Sequence, residues 1–469
     1  MLLERFEDPG LSQYSYAVGC EGARQVAIID PRRDVDVYLD FARQRGLAIT
    51  HVLETHVHAD FASGARELAA ASGARLLLSA YDAGERYEVA FAHDELRDGD
   101  AVELGKVRLV ALHTPGHTPE HLAFLVYDTA RAAAVPVAML SGDFLFVGSL
   151  GRPDLLGEEA KRGLAQSLFR SVRVKLAALP DGLEIHPGHG AGSMCGSGMS
   201  NRPFSTLGFE RIANPFLDPQ LDEEGFVARI LDSAPPLPPY YRRMKELNAA
   251  GPRPLGIRPA VDALPVARFQ QLALDGEHVV IDLRDQLAFG GGHVPGALGI
   301  GIRGGSLSTW AAWVVPYDRP LLLVAGDDED VDPAARALVR VGLDGLAGYL
   351  AGGMERWLER GLPLATLPQV SVGELAQRLA DAGAPTLLDV RADGEWGQGH
   401  VRGARHLVGG EVAERPGDVP AGPLAVMCGG GYRSTVVASL LQRQGRRDIV
   451  NVTGGMGAWK RAGLPVESD

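Results

Sequence analysis

Cysteine is scarce in this chain: Cys20, Cys195 and Cys428 are the only three in 469 residues. Thiols so few and so far apart cannot build a disulfide framework, and they fit a reducing cytoplasm. Long apolar runs are missing too. None approaches the roughly 18 residues that a membrane helix needs, so no membrane partner is expected. Positive charge is in deficit, with 46 Lys and Arg against 59 Asp and Glu and a formal net charge of −13. That balance argues against nucleic acid or an anionic membrane surface as a partner. The first ten residues, MLLERFEDPG, are two apolar side chains followed by acids, which is not the pattern of a secretory signal. A cytoplasmic globular protein is the expectation.

The bulk composition agrees, being 46% hydrophobic and 22% charged, as in an ordinary soluble chain. The length suggests about three domains of roughly 150 residues each. In the first half, short apolar runs alternate with helix-like segments. AIID (27–30) and ITHVLE (49–54) read as strands around a helix over 34–45 that Gly46 ends. RLLLS (75–79), VRLVAL (107–112), LAFLV (122–126), VAML (137–140) and LEIH (183–186) continue as strands, and 157–178 reads as a helix. Residues 248–265 turn rich in Pro and Gly without periodicity, which marks a linker. Beyond it the text repeats. VVIDLRDQLAFGGGHVPGA (279–297) matches TLLDVRADGEWGQGHVRGA (386–404), and GGMERWLERGLPL (352–364) matches GGMGAWKRAGLPV (454–466). Each copy alternates strand, loop and helix, so each is an α/β domain with a mostly parallel sheet. The expected division is 1–247, a linker over 248–265, a first repeat over 266–366 and a second over 367–469.

Groups able to hold a metal recur at the ends of the predicted strands. THVHADF (55–61) places His56, His58 and Asp60 at every second position. HTPGHTPEH (113–121) carries His117 after a Pro-Gly turn, SGDFLF (141–146) carries Asp143 at a strand end, and HPGHG (186–190) carries His189. Taken singly, each also reads as a hydrogen-bonding turn residue. Taken together, groups at the carboxyl ends of several strands can converge on one site.

This order of motifs resembles the metallo-β-lactamase fold, an αββα sandwich, over the first domain. Within that fold it is most similar to the persulfide dioxygenases and to their relatives, the glyoxalase II thioesterases. Dinuclear members have a histidine directly after the aspartate, and it ligates the second metal. Here that position is Phe61, whose ring offers no lone pair. The resemblance therefore implies one metal per chain, held by His56, His117 and Asp143. Two imidazoles and a carboxylate on one face are the pattern of non-haem Fe(II) that activates O₂, although the same set also serves catalytic zinc. His58, Asp60 and His189 are expected around these ligands, orienting them, or as relics of the fold with hydrogen-bonding duties alone.

In the last repeat, PLAVMCGGGYRSTVVASLL (423–441) runs from an apolar strand through a Gly-rich loop into a helix. Backbone N–H groups in such a loop, reinforced by the helix N-terminus, cradle an anion and favour a thiolate at Cys428. This repeat resembles the rhodanese sulfurtransferases, also through Asp389-x-Arg391, GHVRGA (399–404) and GGMGAW (454–459). The resemblance implies that Cys428 carries sulfane sulfur as a persulfide, with Arg433, Gly429, Gly430, Gly431, Tyr432 and Ser434 around it. The loop has the sulfur-transferring length, one residue shorter than in the related phosphatases. The middle repeat has AGDDED (325–330) instead, with Ala325 opposite Cys428 and acids in place of the cradle. It resembles an inactive rhodanese domain, with a spacer or docking role. Cys195 is expected in a loop at the rim of the metal site, either touching substrate sulfur or as an incidental thiol. Cys20 is expected to pack in the core.

The whole arrangement resembles the bacterial persulfide dioxygenase–sulfurtransferase fusions. It implies oxidation of a low-molecular-weight persulfide (of glutathione, coenzyme A or cysteine) by O₂ to sulfite at Fe(II). Cys428 then passes sulfur to sulfite as thiosulfate, or uses thiosulfate as its donor. Fusions of this fold often self-associate, so a homo-oligomer is compatible with this reading. Two alternatives stand beside it: a mononuclear zinc thioesterase of glyoxalase II type with a rhodanese passenger, and a non-catalytic sulfur carrier.

Overall fold

The structure is a computed structural model that describes residues 1–256 and 259–468; Ile257 and Arg258, inside the expected linker, and Asp469 lie outside the described residues. The chain folds as two compact units, Met1–Pro259 with Val339–Gly342, and Ala260–Leu338 with Leu343–Asp469.

In the first unit, β1 (Leu2–Asp8), β2 (Gln13–Cys20), β3 (Gln25–Ile29), β4 (Ala48–Leu53), β5 (Arg75–Ser79) and β6 (Asp94–Leu96) form one sheet in sequence order. The second sheet contains β7 (Ala101–Leu104), β8 (Val107–His113), β9 (Leu122–Asp128) and β10 (Ala138–Gly142). A small hairpin, β11 (Leu145–Phe146) and β12 (Ser149–Leu150), stands apart, and β13 (Glu184–Pro187) and β14 (Ser205–Thr206) complete the second sheet beside β10.

Inner strands such as β3, β9 and β10 are apolar on both faces and bury both, whereas β6 and β7 at the sheet edges expose polar residues. Along β9, Leu122, Phe124 and Val126 point into a cluster between the two sheets that also holds Tyr16, Val18 and Leu109. The alternate residues Ala123 and Leu125 point the other way, into a second cluster under the helices on that side. The period of two thus sorts each strand between two cores. Outside the first sheet, α1 (Asp36–Arg45) and α2 (Ala65–Ser72) cover Val26, Ile28 and Val52 through Tyr38, Ala42 and Leu68. Outside the second, α3 (Glu158–Lys175), α4 (Leu207–Ala213) and α5 (Glu223–Ser233) contribute Leu168, Leu207 and Phe226. The result is the αββα sandwich that the sequence led us to expect. Gly46 ends α1 in the left-handed region at φ 64°. The last helix, α6 (Tyr240–Ala250), runs into the stretch read as linker, because its Gly and Pro begin only at Gly251.

The second unit holds the two repeats as two five-stranded sheets. One runs β15 (Ala263–Leu264), β19 (Leu346–Leu350), β18 (Leu321–Val324), β16 (Val279–Asp282), β17 (Leu298–Gly299). The other runs β20 (Gln369–Val370), β24 (Ile449–Val452), β23 (Leu424–Met427), β21 (Thr386–Asp389), β22 (Arg405–His406). All pairings are parallel and the order is the same in both. The repeated motifs are the joints of this fold. Asp282 and Asp389, both fully buried, each pair with the arginine two residues on, Arg284 at 2.6 Å and Arg391 at 2.7 Å. His293 stacks on Phe289 and His400 on Trp396. Each repeat also ends on the same bond: the Trp357 indole N–H donates to the Pro363 carbonyl, and that of Trp459 to the Pro465 carbonyl. Among the described residues no helix is long and apolar enough to cross a membrane.

Candidate active sites

The loops after β4, β8, β10 and β13 bring His56, His117, Asp143 and His189 to one edge of the sandwich. One potential ligand atom each from His56, His117 and Asp143 lie within 4.8 Å of one another, and all three residues are buried. His117 Nε2 is 3.4 Å and His56 Nε2 is 3.9 Å from Asp143 Oδ2.

The hydrogen bonds behind these atoms decide where the lone pairs point. The Thr55 hydroxyl donates to Asp30 Oδ2 at 2.9 Å, so its oxygen accepts from His56 Nδ1, also 2.9 Å away. The Arg152 carbonyl can only accept, so His117 Nδ1 carries the proton toward it at 2.8 Å. His189 Nδ1 holds Asp143 Oδ1 at 2.7 Å. In each case the far atom (His56 Nε2, His117 Nε2 and Asp143 Oδ2) is left buried without a hydrogen-bond partner. Burial, reinforced by neighbouring histidines, keeps the pKa of both imidazoles well below the usual range. Neutral rings beside a carboxylate with convergent free lone pairs fit a cation, and three orphaned polar atoms in one gap have no other evident use.

The remaining sequence candidates form the layer behind. His189 spans two carboxylates, with Nε2 on Asp60 Oδ2 at 2.7 Å. Burial alone would discharge it, but Asp143 and Asp60 outweigh that and raise its pKa well above the ordinary value. A Cβ on the neighbouring Gly188 would come within 2.7 Å of Asp143 Oδ1, so that position must stay glycine. His58 turns away from the three-residue group. Its Nε2 stands 3.2 Å from Asp30 Oδ1, and Asp30, with Glu54 and Asp60, overcomes burial to push its pKa up to about 9. The ring of Phe61 lies 4.4 Å from that of His58, where the dinuclear pattern would have another ligand. Cys195 corrects an expectation: it is no rim residue but 1% exposed. It groups instead with Asp60 and His189, one potential ligand atom of each lying within 4.8 Å of the others. Its sulfur is 3.6 Å from the Tyr241 hydroxyl, and burial, with Asp60 and Asp143 nearby, raises its pKa well above the ordinary thiol value. Cys20 ends β2 in the core.

Several residues of this site are not singled out by the sequence. His121 Nε2 accepts the Asp143 backbone N–H at 3.0 Å, and Thr114 holds its Nδ1 at 2.8 Å. Burial, with His58 and His113 nearby, brings its pKa down to about 3, so it serves as a neutral acceptor. Arg152, 1% exposed, pairs with Asp154 and donates to the carbonyls of Met194 and Pro235, while its own N–H donates to the Cys195 carbonyl. It ties the His117 and Cys195 loops to the segment leading into α6. From α6, Asn248 Nδ2 donates to the carbonyls of His58 (2.9 Å) and Phe61 (2.7 Å), and its Oδ1 accepts from Ser63 N–H (2.9 Å). One helical turn earlier, the buried Lys245 ammonium donates to the Val57 carbonyl at 2.8 Å.

In the second unit, Cys428 follows β23 and is 1% exposed. Its sulfur accepts from Gly431 N–H at 3.1 Å and from the Ser434 hydroxyl at 3.4 Å. Glu395 grips the Arg433 guanidinium through both oxygens, at 2.5 and 2.7 Å, and that hydrogen bond, with the charge behind it, raises the arginine's pKa further. The GGMGAW motif closes the loop from below: Met456 and Gly457 N–H groups donate to the carbonyls of Cys428 and Gly429. A side chain at Gly455 would overlap the Cys428 carbonyl. Tyr432, expected in the cradle, instead presents its ring to Gly304 of the middle repeat. In that repeat, Asp327 caps the short 3-10 helix Asp328–Asp330 where the active loop would stand, and Asp328 accepts from the Tyr349 hydroxyl.

Residues 8–189 match the metallo-beta-lactamase superfamily, and residues 266–360 and 371–462 each match the rhodanese-like domain. The chain is 30% identical to a hydroxyacylglutathione hydrolase from Polaromonas sp. over 262 residues, which are 51% of this chain and 93% of that one. A metallo-beta-lactamase crystal structure from Staphylococcus aureus is 34% identical, covers 75% of this chain and 98% of its own, and superposes with a TM-score of 0.66. The chain belongs to the metallo-β-lactamase superfamily. It carries two rhodanese-like domains behind that fold, the arrangement of a persulfide dioxygenase–rhodanese fusion. It is 28% identical to the mitochondrial persulfide dioxygenase ETHE1 of Bos taurus over 228 residues, which are 48% of this chain and 78% of that one. Relatives named as a hydrolase and as a persulfide dioxygenase thus both match the first domain.

Proposed function

We propose that this protein is a persulfide dioxygenase coupled to a sulfurtransferase. The observation that carries this reading is the three-atom gap of His56 Nε2, His117 Nε2 and Asp143 Oδ2, buried and without hydrogen-bond partners. Supporting a single ion, Phe61 directly follows Asp60, where the dinuclear members of the fold have a histidine, and its ring lies 4.4 Å from that of His58. Two imidazoles and one carboxylate leave the other coordination positions open, the pattern used by oxygen-activating ferrous centres. One ferrous ion per chain, held by these three residues, would supply the redox contact between O₂ and the terminal sulfur of a persulfide.

The balanced reaction is RSS⁻ + O₂ + H₂O → RSH + SO₃²⁻ + H⁺. The chain's own part is to hold neutral imidazoles by Thr55 and Arg152, to fix Asp143 through His189, and to keep bulk water from buried ligands. Cys195 lies buried with Asp60 and His189, the Tyr241 hydroxyl beside its thiol. In the last domain, the Cys428 thiolate attacks the outer sulfur of a second persulfide, giving Cys–S–S⁻ and RSH. Sulfite then takes that sulfur, giving thiosulfate and the free thiolate. Gly431 N–H and the Ser434 hydroxyl donate to the Cys428 sulfur, and the Arg433 guanidinium stands near it. Joining the two activities in one chain raises the concentration of sulfite available to the Cys428 persulfide, its sulfur donor.

A hydrolytic reading is favoured by one observation, the 30% identity to a hydroxyacylglutathione hydrolase. It requires zinc in the same three ligands and cleavage of glutathione thioesters. Metal analysis of anaerobically purified protein, with an oxygen electrode and glutathione persulfide, separates the two. Persulfide-dependent oxygen uptake with iron bound supports the dioxygenase. Zinc with thioester cleavage and no oxygen uptake overturns it.

A further inference from the structure

The middle repeat lacks a nucleophile, yet it is packed against the loop that has one. The helix Tyr432–Arg443, which follows the Cys428 loop, lies on β17 of the middle repeat. There Ser439 Oγ accepts Gly299 N–H at 3.0 Å, and Arg443 donates to the Gly296 carbonyl at 2.8 Å. At the start of that helix the Tyr432 ring rests on Gly304, where any side chain would overlap it. Between these contacts the side chain of Gln286 reaches Gly431. A Cβ on Gly431 would stand 2.6 Å from Gln286 Oε1 and 3.0 Å from its Nε2. Gln286 is itself fixed, as the first residue of the helix Gln286–Gly291, whose cap Asp285 accepts the N–H groups of Leu287 and Ala288.

Three consecutive glycines make the Cys428 loop conformationally free unless something outside holds it. A Cβ on Gly430 would meet nothing within 4 Å and one on Gly429 only Arg433 and Glu395, although the Gly429 carbonyl is held by Gly457 N–H. Gly431 is the exception, at φ +109° under the Gln286 amide, and its N–H is the backbone donor at 3.1 Å from the Cys428 sulfur. We propose that Gln286 is a positioning residue for the sulfurtransferase site: through it, the nucleophile-free middle repeat holds Gly431 N–H on the sulfur of Cys428. Gln286 on Gly431 then adds a brace from the other repeat to those within its own, Glu395 on Arg433 and the Met456 and Gly457 N–H groups on the Cys428 and Gly429 carbonyls. This inference rests on the reading of Cys428 as the sulfur carrier, and its test separates the two.

The full-length chain is treated with iodoacetamide, which is neutral, and with iodoacetate, which is anionic. Alkylation is followed on the Cys428 peptide by mass spectrometry, and thiosulfate formation is measured in parallel. Gln286→Ala is expected to slow alkylation by both reagents roughly three- to tenfold, about the worth of one typical hydrogen bond. Gln286→Glu keeps the shape and adds a charge beside Gly431, so iodoacetate is expected to slow at least about threefold more than iodoacetamide. A merely structural role would lower the Tm of Gln286→Ala and leave alkylation of its Cys428 at the wild-type rate. Wild-type alkylation rates and ratio in both variants overturn the proposal. If wild type forms no thiosulfate while Gln286→Ala still slows alkylation, the positioning role stands and the sulfurtransferase reading falls.

Discussion

Nε2 of His117 stands 3.4 Å from Oδ2 of Asp143 in a fully buried gap, and neither atom has a hydrogen-bond partner. Leaving such groups unmatched costs about 1–3 kcal/mol each, so the gap makes sense as a place prepared for a cation. His117→Ala is expected to abolish stoichiometric metal binding. His189→Gln, which disturbs only the group behind Asp143, should weaken affinity roughly 10–100-fold. Competition with a chelator, read by metal analysis, measures both, and wild-type affinity in His117→Ala would remove this residue from the ligand set.

Phe61 offers a test by gain. Its ring is 1% exposed and 4.4 Å from His58, and it follows Asp60 directly in the chain. Phe61→His supplies the missing donor, and the metal content per chain is expected to rise from about one toward two. An unchanged content would mean that the aromatic ring is not what limits the site to one ion.

Asn248 clamps the metal loop from helix α6 with three hydrogen bonds to buried backbone groups. Asn248→Ala leaves all three without a partner. A loss of roughly 3 kcal/mol is expected, read as a fall in the first domain's Tm of about 5–10 °C. The melting of the second unit should not move. A shift below about 2 °C would show that Asn248 carries no such load.

Glu54 gives a pH dependence. Burial pushes its carboxyl up to about 7, against the partial opposition of His58. A carboxyl raised on folding stabilises the protein below its unfolded value near 4.5, and that contribution is lost as pH rises through the folded value near 7. In metal-free protein Glu54→Gln should therefore match the wild type near pH 4.5 and become the more stable of the two by about 1–3 kcal/mol near pH 8. Thermal melts across that range check the sign. A wild type that outlasts the variant at pH 8 contradicts it.

The parts of this molecule that were legible in its sequence are those with a local signal. His56, His117, Asp143 and His189 each follow an apolar strand, and the loop around Cys428 announces itself by three glycines and an arginine. Asp30, like Asp143, is an acid at the end of an apolar strand, yet it holds Thr55 and His58 rather than joining the cluster of His56 and His117. Only the packing distinguishes the two. His121 sits four residues after His117, but its duty depends on the backbone of Asp143, which is remote in sequence. Tyr241, Lys245 and Asn248 act from a helix nearly two hundred residues beyond the loop they hold, and their spacing is that of any half-buried helix. Cys195 reads as exposed because its neighbours are Gly and Ser; the carbonyls around Arg152 fold that loop inward. Gln286 had no signal, because its partner is a glycine in another repeat.

Oxygen consumption by anaerobically purified, metal-analysed protein on addition of glutathione persulfide tests the division of labour between the two sites most directly. Wild type and Cys428→Ser are both expected to consume oxygen with about one iron bound per chain, and only the wild type should accumulate thiosulfate. Iron-loaded protein that consumes no oxygen, or a Cys428→Ser variant that loses oxygen uptake together with thiosulfate, would contradict it.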